Sequence, residues 1–543
     1  MVSYGIALDL GTSGFRSHLI DLEKGGKIIS TAVTVRHPLP GANIMDHLHF
    51  WMTSGSAVGH KIIMKTVDDL IRLHGAENIK HINKVAICGN PIQLSLFENI
   101  EVRDLAFAGE NRLKTLGVVR PSRRGHTRVA GDIGMMSINS EAEVIIPPAI
   151  RHEIGADALA MIIRSGMLDK KQTCMVTDYG TNAEMGLYVD GELYSGSAAA
   201  GPAMEGQSIK YGVLAAPGAI SDVNITGDDG LWDNMVLNDK LIPLAAARVD
   251  PVTGREVRVL DYKAKGITGT GVVSSMAMGL KSGVITLPEI NTPDRKVRLM
   301  DGIWFSEKDV QEAGKAMGAI RAGHRTLVHE VGIKDSDIGV MYMAGASGTY
   351  VDPLKAQICG MIPRQLDEVY QLGNTSLMMA HELLSNDKTL DKMQSVADSI
   401  SANHIMFAGN KTFEDMYVLE IAYWAEGMPM EMYNDMIKGY GIAELPEIKV
   451  PSKVVRTVKS DIPEIGRGFY SLEEVGMKMY GNFKGCNGCG KCSRDCPEKA
   501  LTQDKSTKEL CVRSDLCLGT ACKACEMNCP LKVYHFKDLE IRI

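Results

Sequence analysis

Cysteines are concentrated at the C-terminal end of this chain. Nine of its twelve cysteines lie between Cys486 and Cys529. The first run, CNGCGKCSRDCP at 486–497, has the spacing C-x2-C-x2-C-x3-C-P, and CLGTACKACEMNCP at 517–530 repeats it with two extra residues. A tight triplet of cysteines can deliver three thiolates to a cube of iron and sulfide, and a cysteine before proline can supply the fourth. The spacing therefore predicts iron–sulfur electron transfer.

Two [4Fe–4S] clusters are expected, because in two-cluster ferredoxins the cysteine before proline serves the other cluster. The predicted ligands are Cys486, Cys489, Cys492 and Cys529 for one cluster, and Cys517, Cys522, Cys525 and Cys496 for the other. Cys511 is an alternative to Cys517, although it lies farther from Cys522 in the sequence. Zinc also accepts four thiolates but usually takes two separated C-x2-4-C pairs. A disulfide framework would imply secretion, whereas the N-terminus, MVSYGIALDLG, has the pattern of a strand rather than of a signal peptide.

A second kind of chemistry is indicated by two similar glycine hairpins. An apolar strand ends in DLGTSG at 9–14, and another ends in DYGTN at 178–182. Glycines in such a turn let backbone N–H groups face a phosphate without a blocking Cβ atom. Asp9 and Asp178 are predicted to position magnesium and the attacking water. The residues predicted to hold phosphates are Gly11, Thr12, Ser13, Gly180, Thr181 and Asn182.

A third glycine turn follows the hairpins. IGVMYMAGASGTYVDP at 338–353 is predicted to be a buried strand, then the turn Gly345, Ala346, Ser347 and Gly348, then a helix. The glycines would permit close approach of adenosine. The order of the three pieces resembles the actin, Hsp70 and sugar-kinase superfamily, and the resemblance implies an α/β, two-lobed ATPase fold whose halves close on one nucleotide. A degenerate fold without nucleotide binding is the alternative.

The chain is accordingly divided into four segments. We expect a first lobe at 1–150, a second lobe at 151–445, an extended linker at 446–480, and a C-terminal ferredoxin-like domain with two [4Fe–4S] clusters at 481–543. Residues 446–480 favour a linker because prolines and glycines are spread among charges.

Several longer strings carry a more specific resemblance. DYGTNAEM, AAAGPAMEG, TGTGVVSSMAMGLKSGVI, MAGASGTYVDPLKAQICGMIP and LGNTSLMMA, within about residues 1–400, resemble the reductive activators of corrinoid proteins. The resemblance implies ATP- and magnesium-dependent reduction of inactive Co(II) to Co(I) in corrinoid methyl-carrier proteins, with electrons from a low-potential donor such as a ferredoxin. Many members carry an N-terminal [2Fe–2S] domain instead of this tail. The layout here resembles archaeal members that serve methylamine methyltransferases in methanogenesis, with electrons entering at the tail.

Composition limits the remaining possibilities. A net charge of −7 implies no strong affinity for nucleic acid or an anionic membrane. No apolar run approaches the length of a membrane span, and clustered cysteines kept for iron favour a reducing cytoplasm. The alternative functions are an activator of a radical dehydratase, a small-molecule kinase with a fused ferredoxin, and an electron carrier whose nucleotide fold is vestigial.

Overall fold

The protein is described by a computed structural model. It covers residues 3–41, 43–106, 110–150, 154–180, 182–201, 208–213, 215–400, 403–460, 462, 464–519 and 522–542. The chain divides into two compact units. Unit 1 comprises Met1–Ala160, Ser376–Asp398 and Glu464–Ile543, and unit 2 comprises Met161–Thr375 and Ser399–Pro463.

Strands occur throughout the chain. In chain order they are β1 (Tyr4–Leu10), β2 (Phe15–Asp21), β3 (Lys27–Thr34), β4 (Ile82–Gly89), β5 (His126–Val129), β6 (Glu143–Ile146), β7 (Thr173–Tyr179), β8 (Ala183–Val189), β9 (Glu192–Ala198), β10 (Ala219–Asn224), β11 (Trp232–Leu237), β12 (Pro243–Val249), β13 (Glu256–Arg258), β14 (Gly266–Ile267), β15 (Ile285–Thr286), β16 (Glu289–Ile290), β17 (Lys296–Arg298), β18 (Trp304–Ser306), β19 (Ile338–Ala344), β20 (Glu368–Gly373), β21 (Lys453–Arg456), β22 (Phe469–Leu472), β23 (Lys478–Gly481), β24 (Leu501–Gln503), β25 (Leu510–Arg513) and β26 (Glu540–Ile541).

Helices separate many of these strands. They are α1 (Ile44–Ser54), α2 (Ser56–Arg72), α3 (Ala76–Ile79), α4 (Pro91–Glu98), α5 (Arg103–Ala106), α6 (Glu110–Thr115), α7 (Ala130–Ile133), α8 (Ala156–Ser165), α9 (Gly269–Ser282), α10 (Glu307–Val331), α11 (Gly345–Tyr350), α12 (Pro353–Ile358), α13 (Thr375–Ser385), α14 (Thr389–Ile400), α15 (Lys411–Glu426), α16 (Met430–Gly439), α17 (Lys491–Arg494) and α18 (Ala524–Met527). Within the described residues, none of the helices is long and apolar enough to cross a bilayer.

The main sheet of unit 1 is built on an antiparallel meander. Its strand order is β22-β3-β2-β1-β4-β6-β5, with β1 parallel to β4 and β4 parallel to β6. β1 is buried at six of its seven positions, which is typical of a central strand covered on both faces. Residues 376–398 complete this unit, since Leu384 packs at Gly5 and His381 bonds the carbonyl of Gly26.

The main sheet of unit 2 repeats the same plan. Its order is β21-β20-β19-β7-β8-β9, in which β7, β8 and β9 form the meander and β7 is parallel to β19. A separate sheet with the order β13-β12-β11-β10-β14 belongs to the same unit. The long helix α10 packs on α15, because Gly314 and Gly318 leave room for Trp424 and Glu420. The predicted repeat of two related halves is therefore visible in the strand order, and each meander begins with a strand that carries one of the predicted aspartates.

The segment 446–480 differs from the extended linker that its composition suggests. β21 adds a parallel strand to β20 in unit 2, and β22 adds a parallel strand to β3 in unit 1. Both are edge strands, where one side of the backbone needs no partner and nearby prolines are tolerated. The cysteine-rich end then forms a small sheet with the order β24-β25-β23-β26 and belongs to unit 1.

Candidate active site: two phosphate hairpins and two cysteine sets

The hairpin between β1 and β2 holds the first predicted aspartate. Asp9 is buried opposite Arg16, whose guanidinium nitrogen lies 3.4 Å from its Oδ2. A Cβ atom at Gly11 would lie 2.8 Å from the carbonyl oxygen of Gly14, so the turn is too tight for a side chain there. Asn90 donates from Nδ2 to the Thr12 hydroxyl at 3.1 Å. The structure thus brings Asp9, Gly11 and Thr12 together, with Ser13 in the same turn.

Two further groups near Asp9 were missed by sequence reasoning. The parallel pairing of β1 and β4 places Cys88 opposite Asp9. Asp157, in the first turn of α8, also lies near enough for its charge to repel that of Asp9, and burial together with this repulsion raises the pKa of Asp157 to about 6. Pairing of the strand at 84–89 with β1 could have indicated Cys88, but no local signal distinguishes Asp157 from an ordinary helix-start carboxylate.

The second hairpin brings Asp178 next to the third glycine turn. Asp178 of β7 lies opposite Ala344 of β19. Gly345 has φ +78°, and a Cβ atom there would lie 2.2 Å from Oδ1 of Asp178. Gln371 holds the following turn, because its Nε2 donates to the carbonyl oxygens of Gly348, Thr349 and Val351 at 2.8, 3.1 and 2.8 Å. Asp178 and the Gly345–Gly348 turn therefore form one constellation in unit 2.

The remaining predicted residues of unit 2 are placed as follows. Gly180 and Asn182 lie in the turn between β7 and β8, and a Cβ atom at Gly180 would be 3.3 Å from the Asn182 carbonyl oxygen. Thr181 lies outside the described residues. The sequence predicts that the turn Gly345–Gly348 precedes a helix. In the structure these residues, including Ser347, form the start of α11 itself. Ala346 belongs to the same helix by its backbone.

The first predicted set of cysteines surrounds one space in the tail. We call Cys486, Cys489, Cys492 and Cys529 set I. They line a space of about 360 Å³ together with Phe483, Leu510 and Val533 among others. Gln503 donates from Nε2 to the sulfur of Cys486 at 3.4 Å. Burial raises the pKa of Cys529, but the backbone N–H groups of residues 531–534 outweigh it and lower that pKa below its usual value. These donors fit a thiolate.

The second predicted set surrounds a separate space. We call Cys496, Cys517, Cys522 and Cys525 set II. They line a space of about 380 Å³, and Tyr534 contributes to the lining of both spaces. The Gly519 N–H donates to the sulfur of Cys517 at 3.3 Å. Each set thus combines three cysteines of one run with the cysteine before proline of the other run, which is the crossed arrangement that the spacing predicts.

Cys511 occupies a different position. It lies in β25, opposite Tyr480 of β23 and Thr502 of β24, and it is absent from the described lining of both spaces. Within the part of the chain that the structure describes, no three His, Cys, Asp or Glu side chains converge as they would on a single metal ion. The cysteines of each set instead line a partly open space, and such spread thiolates suit a multi-iron cube, because each iron of a cube takes its own thiolate.

A short segment of unit 1 joins the first hairpin to set II. We call residues 34–41 the connecting segment. The N–H of Phe15, directly after the hairpin turn, donates to the hydroxyl of Thr34 at 2.8 Å. At the other end, Ser514 donates to the carbonyl oxygen of Pro38 at 2.7 Å, and the Gly41 N–H donates to the carbonyl oxygen of Cys517 at 2.8 Å. Eight residues therefore link the predicted phosphate loop to a predicted cluster ligand.

Comparison with known proteins identifies the family. The family described as the RACo middle region matches residues 4–170, and the C-terminal domain of RACo, the ASKHA domain, matches residues 172–434. The Co(II) methylated amine-specific corrinoid protein reductase of Methanosarcina barkeri is 45% identical over 522 residues, which cover 95% of this chain and 96% of that protein. The chain belongs to the reductive activators of corrinoid proteins.

Other reductive activators show the same likeness at greater distance. The corrinoid activation enzyme RamQ of Eubacterium limosum is 25% identical over 457 residues, covering 77% of this chain and 70% of that protein. A solved structure of a reductive activator for corrinoid, iron-sulfur protein matches with a TM-score of 0.63 at 23% identity, covering 77% of this chain and 66% of that one. The predicted family and the α/β, actin- and sugar-kinase-like fold class are therefore confirmed.

Proposed function

We propose that this chain activates corrinoid methyl-carrier proteins by ATP-dependent reduction of inactive Co(II) to Co(I), in methylamine methyltransferase systems of methanogenesis. The observation that carries the proposal is the 45% identity to the Methanosarcina barkeri reductase over 95% of the chain. The unmatched 5% is shorter than the cysteine-rich tail, so the match includes both the ATPase-like part and most of the tail. Thiols kept for iron fit a cytoplasmic location.

Two [4Fe–4S] clusters are proposed for the tail. The support is the crossed grouping of eight cysteines around two spaces, with donors to sulfur at Cys486 and Cys517. When bound, such clusters supply one-electron transfer at the low end of the biological potential range. The chain's own residues hold the thiolates apart and keep each set in a largely apolar lining of Leu510, Val533 and Leu501.

ATP and magnesium are proposed for the two hairpins. In unit 1, Asp9 would hold a magnesium-bound water while Gly11, Thr12 and Ser13 offer donors to phosphate. In unit 2, Asp178 would take the corresponding part beside Gly180, Thr181 and Asn182. The Gly345–Gly348 turn would admit adenosine, because no side chain fits at Gly345. Asp157, with a pKa near 6, is a further candidate for accepting a proton from water.

The need for both chemistries follows from energetics. One electron moved uphill costs about 1.4 kcal/mol for every 59 mV, so a low-potential donor alone does not guarantee reduction of Co(II) to Co(I). Nucleotide binding and hydrolysis can drive a conformational change that favours the reduced state of the bound substrate. The cobalt substrate gains the one electron that the donor loses, and the phosphates of ATP carry no electrons in this step.

The decisive experiment measures Co(I) absorbance with the anaerobic full-length protein, ATP, a strong reductant and a Co(II) corrinoid carrier. We expect Asp178→Ala to abolish ATP-dependent Co(I) formation while iron content stays unchanged. Asp169→Ala is the matched control, because Asp169 is an exposed carboxylate of the same unit. Co(I) formation by Asp178→Ala at the wild-type rate would overturn the assignment of the nucleotide site.

A further inference from the structure

The two cysteine sets have different surroundings. The Cys517 loop of set II is covered by the connecting segment, since Gly41 bonds Cys517 and Pro40 packs at Gly519. In set I, by contrast, Cys489 is exposed. Among the cluster cysteines that the structure describes, Cys489 is the one that is exposed, so set I presents a ligand to solvent that a partner protein could approach.

Five exposed cations surround the set I loop. We call this group, which consists of Lys484, Lys491, Arg494, Lys508 and Lys532, the set I rim. Four members lie within four residues of a set I cysteine in the sequence. The fifth, Lys508, packs against the set I loop, because a Cβ atom at Gly488 would lie 3.3 Å from its Cγ. Among the described residues, no member forms an ion pair with a carboxylate. The rim is positively charged in a chain whose net charge is −7.

Several members of the rim are held in place by the cluster loop itself. Arg494 donates to the carbonyl oxygen of Cys489 at 2.9 Å. Gln503 donates both to the carbonyl oxygen of Lys508 at 3.1 Å and to the sulfur of Cys486. Lys532 donates from Nζ to the carbonyl oxygen of Met527 at 2.5 Å. Hydrogen bonds therefore fix the charged ends of Arg494 and Lys532, and the backbone of Lys508, relative to set I.

Three of the nearby carboxylates are held by hydrogen bonds or an ion pair. Asp504 accepts hydrogen bonds from Ser506 and Thr507 within its own turn. Glu509 pairs with Arg542, and Glu526 accepts from the Phe536 N–H. The five rim cations themselves are exposed and have no ion-pair partner among the described residues.

An apolar patch lies beside the cations. Met527 is 67% exposed and Leu531 is 47% exposed, and Leu531 also lines the space of set I. An apolar centre beside charges of one sign suits a small, transient protein interface of the kind that electron-transfer partners form. A small inorganic reductant would need neither the apolar patch nor charges spread over this distance.

We propose that the set I rim docks an acidic, low-potential electron-carrier protein of the ferredoxin class, and that electrons enter the chain at set I. The inference rests on the proposed function and names its electron donor. Each transfer oxidises the donor by one electron and reduces the iron–sulfur centre of the tail by one.

The experiment reverses charge on the rim in the full-length, iron-loaded protein. The variant Lys491→Glu/Lys508→Glu is compared with Lys478→Glu/Lys537→Glu, which changes the net charge equally at exposed lysines outside the rim. Reduction of the iron–sulfur absorbance is timed with a reduced, acidic bacterial ferredoxin and, separately, with the cationic radical of methyl viologen. Ferredoxin binding is measured by calorimetry at low and high salt, and iron content is measured for every variant.

We expect the rim variant to be reduced by ferredoxin at least about tenfold more slowly, with the salt dependence largely lost, because electrostatic steering raises association rates by such factors. Its reduction by the cationic methyl viologen radical should not be slowed, and its iron content should match the wild type. The control variant should be reduced by ferredoxin as fast as the wild type. Equal slowing in both lysine pairs, or no slowing in the rim pair, would overturn the docking site.

The same measurements separate this inference from the proposed function. Suppose that methyl viologen and ATP support Co(I) formation, but ferredoxin reduces the rim variant as fast as the wild type. In that case only the docking site is wrong. If the viologen-reduced protein produces no Co(I) with ATP, the proposed function fails, whatever the ferredoxin data show.

Discussion

Gly345 is the most sterically restricted residue of the proposed nucleotide site. Its φ of +78° and the 2.2 Å separation between a Cβ atom and Oδ1 of Asp178 both exclude a side chain. We expect Gly345→Ala to weaken nucleotide binding by more than about tenfold, because the methyl group displaces the carboxylate predicted to position magnesium. Overpacking of this kind also costs about 1–3 kcal/mol of unfolding free energy. Calorimetric ADP titration and thermal unfolding measure the two effects.

Gly332→Ala is the control for Gly345→Ala. Gly332 ends α10 with the same φ of +78°, but nothing lies within 4 Å of its Cβ position. The two variants share the backbone cost of about 1–2 kcal/mol for a left-handed residue. Only Gly345→Ala should lose nucleotide affinity, and equal affinity in the two variants would remove Gly345 from the site.

The choice between Cys511 and Cys517 as a cluster ligand is testable by iron content. We expect Cys517→Ser to lose about half of the iron, since one cube of two would lack a thiolate. Cys511→Ser should keep all of it, because Cys511 pairs with Tyr480 and Thr502 in the small sheet. Iron and acid-labile sulfide analysis under anaerobic conditions distinguishes the two. The opposite result would reassign set II.

Strands and turns with local signals were predictable from the sequence. DLGTSG and DYGTN predict hairpins after buried strands, and β1, β2, β7 and β8 occupy those places. The long-range partners were not predictable. β21 and β22 lie in a segment rich in proline and charge, and they become strands only because β20 and β3 each offer an open edge. Likewise, Asp157 lies near Asp9 only because distant segments pack together. The residues around Asp9 and those around Asp157 contain no motif that predicts this packing.

The contact between the connecting segment and the tail, both within unit 1, is testable. Ser514 is fully buried, donates to Pro38 and accepts from the Met477 N–H. We expect Ser514→Ala to weaken this attachment by about 1–3 kcal/mol, the usual cost of leaving buried groups without a hydrogen bond. Amide hydrogen exchange at Leu39 and Gly41 should become faster.

Ser493→Ala provides the comparison for Ser514→Ala. In the wild type, the Ser493 hydroxyl donates to the carbonyl oxygen of Leu501 at 2.8 Å, and both residues belong to the tail. Ser493→Ala should leave exchange at Leu39 and Gly41 unchanged. If both variants, or neither, speed exchange in the connecting segment, Ser514 does not hold the tail in place.

For the whole molecule, the central question is how a nucleotide at the first hairpin could govern electron delivery from the tail. The connecting segment provides one physical route, because Thr34 bonds the N–H of Phe15 while Gly41 bonds Cys517. We expect Thr34→Val, which keeps the side-chain shape and removes the acceptor, to preserve iron content and ATP affinity. It should reduce the ATP stimulation of Co(I) formation by about twofold to thirtyfold, the range that couplings of about 0.5–2 kcal/mol span.

Thr326→Val tests whether that loss is specific to the route. Thr326 lies in α10 of unit 2, and its hydroxyl bonds the Ala322 carbonyl within the same helix. It should leave the ratio of Co(I) formation with and without ATP at the wild-type value. Since Thr34→Val and Thr326→Val remove one hydroxyl each, a common decrease would indicate general destabilisation. A decrease confined to Thr34→Val, with clusters and nucleotide affinity intact, requires that the connecting segment transmit nucleotide binding to the tail.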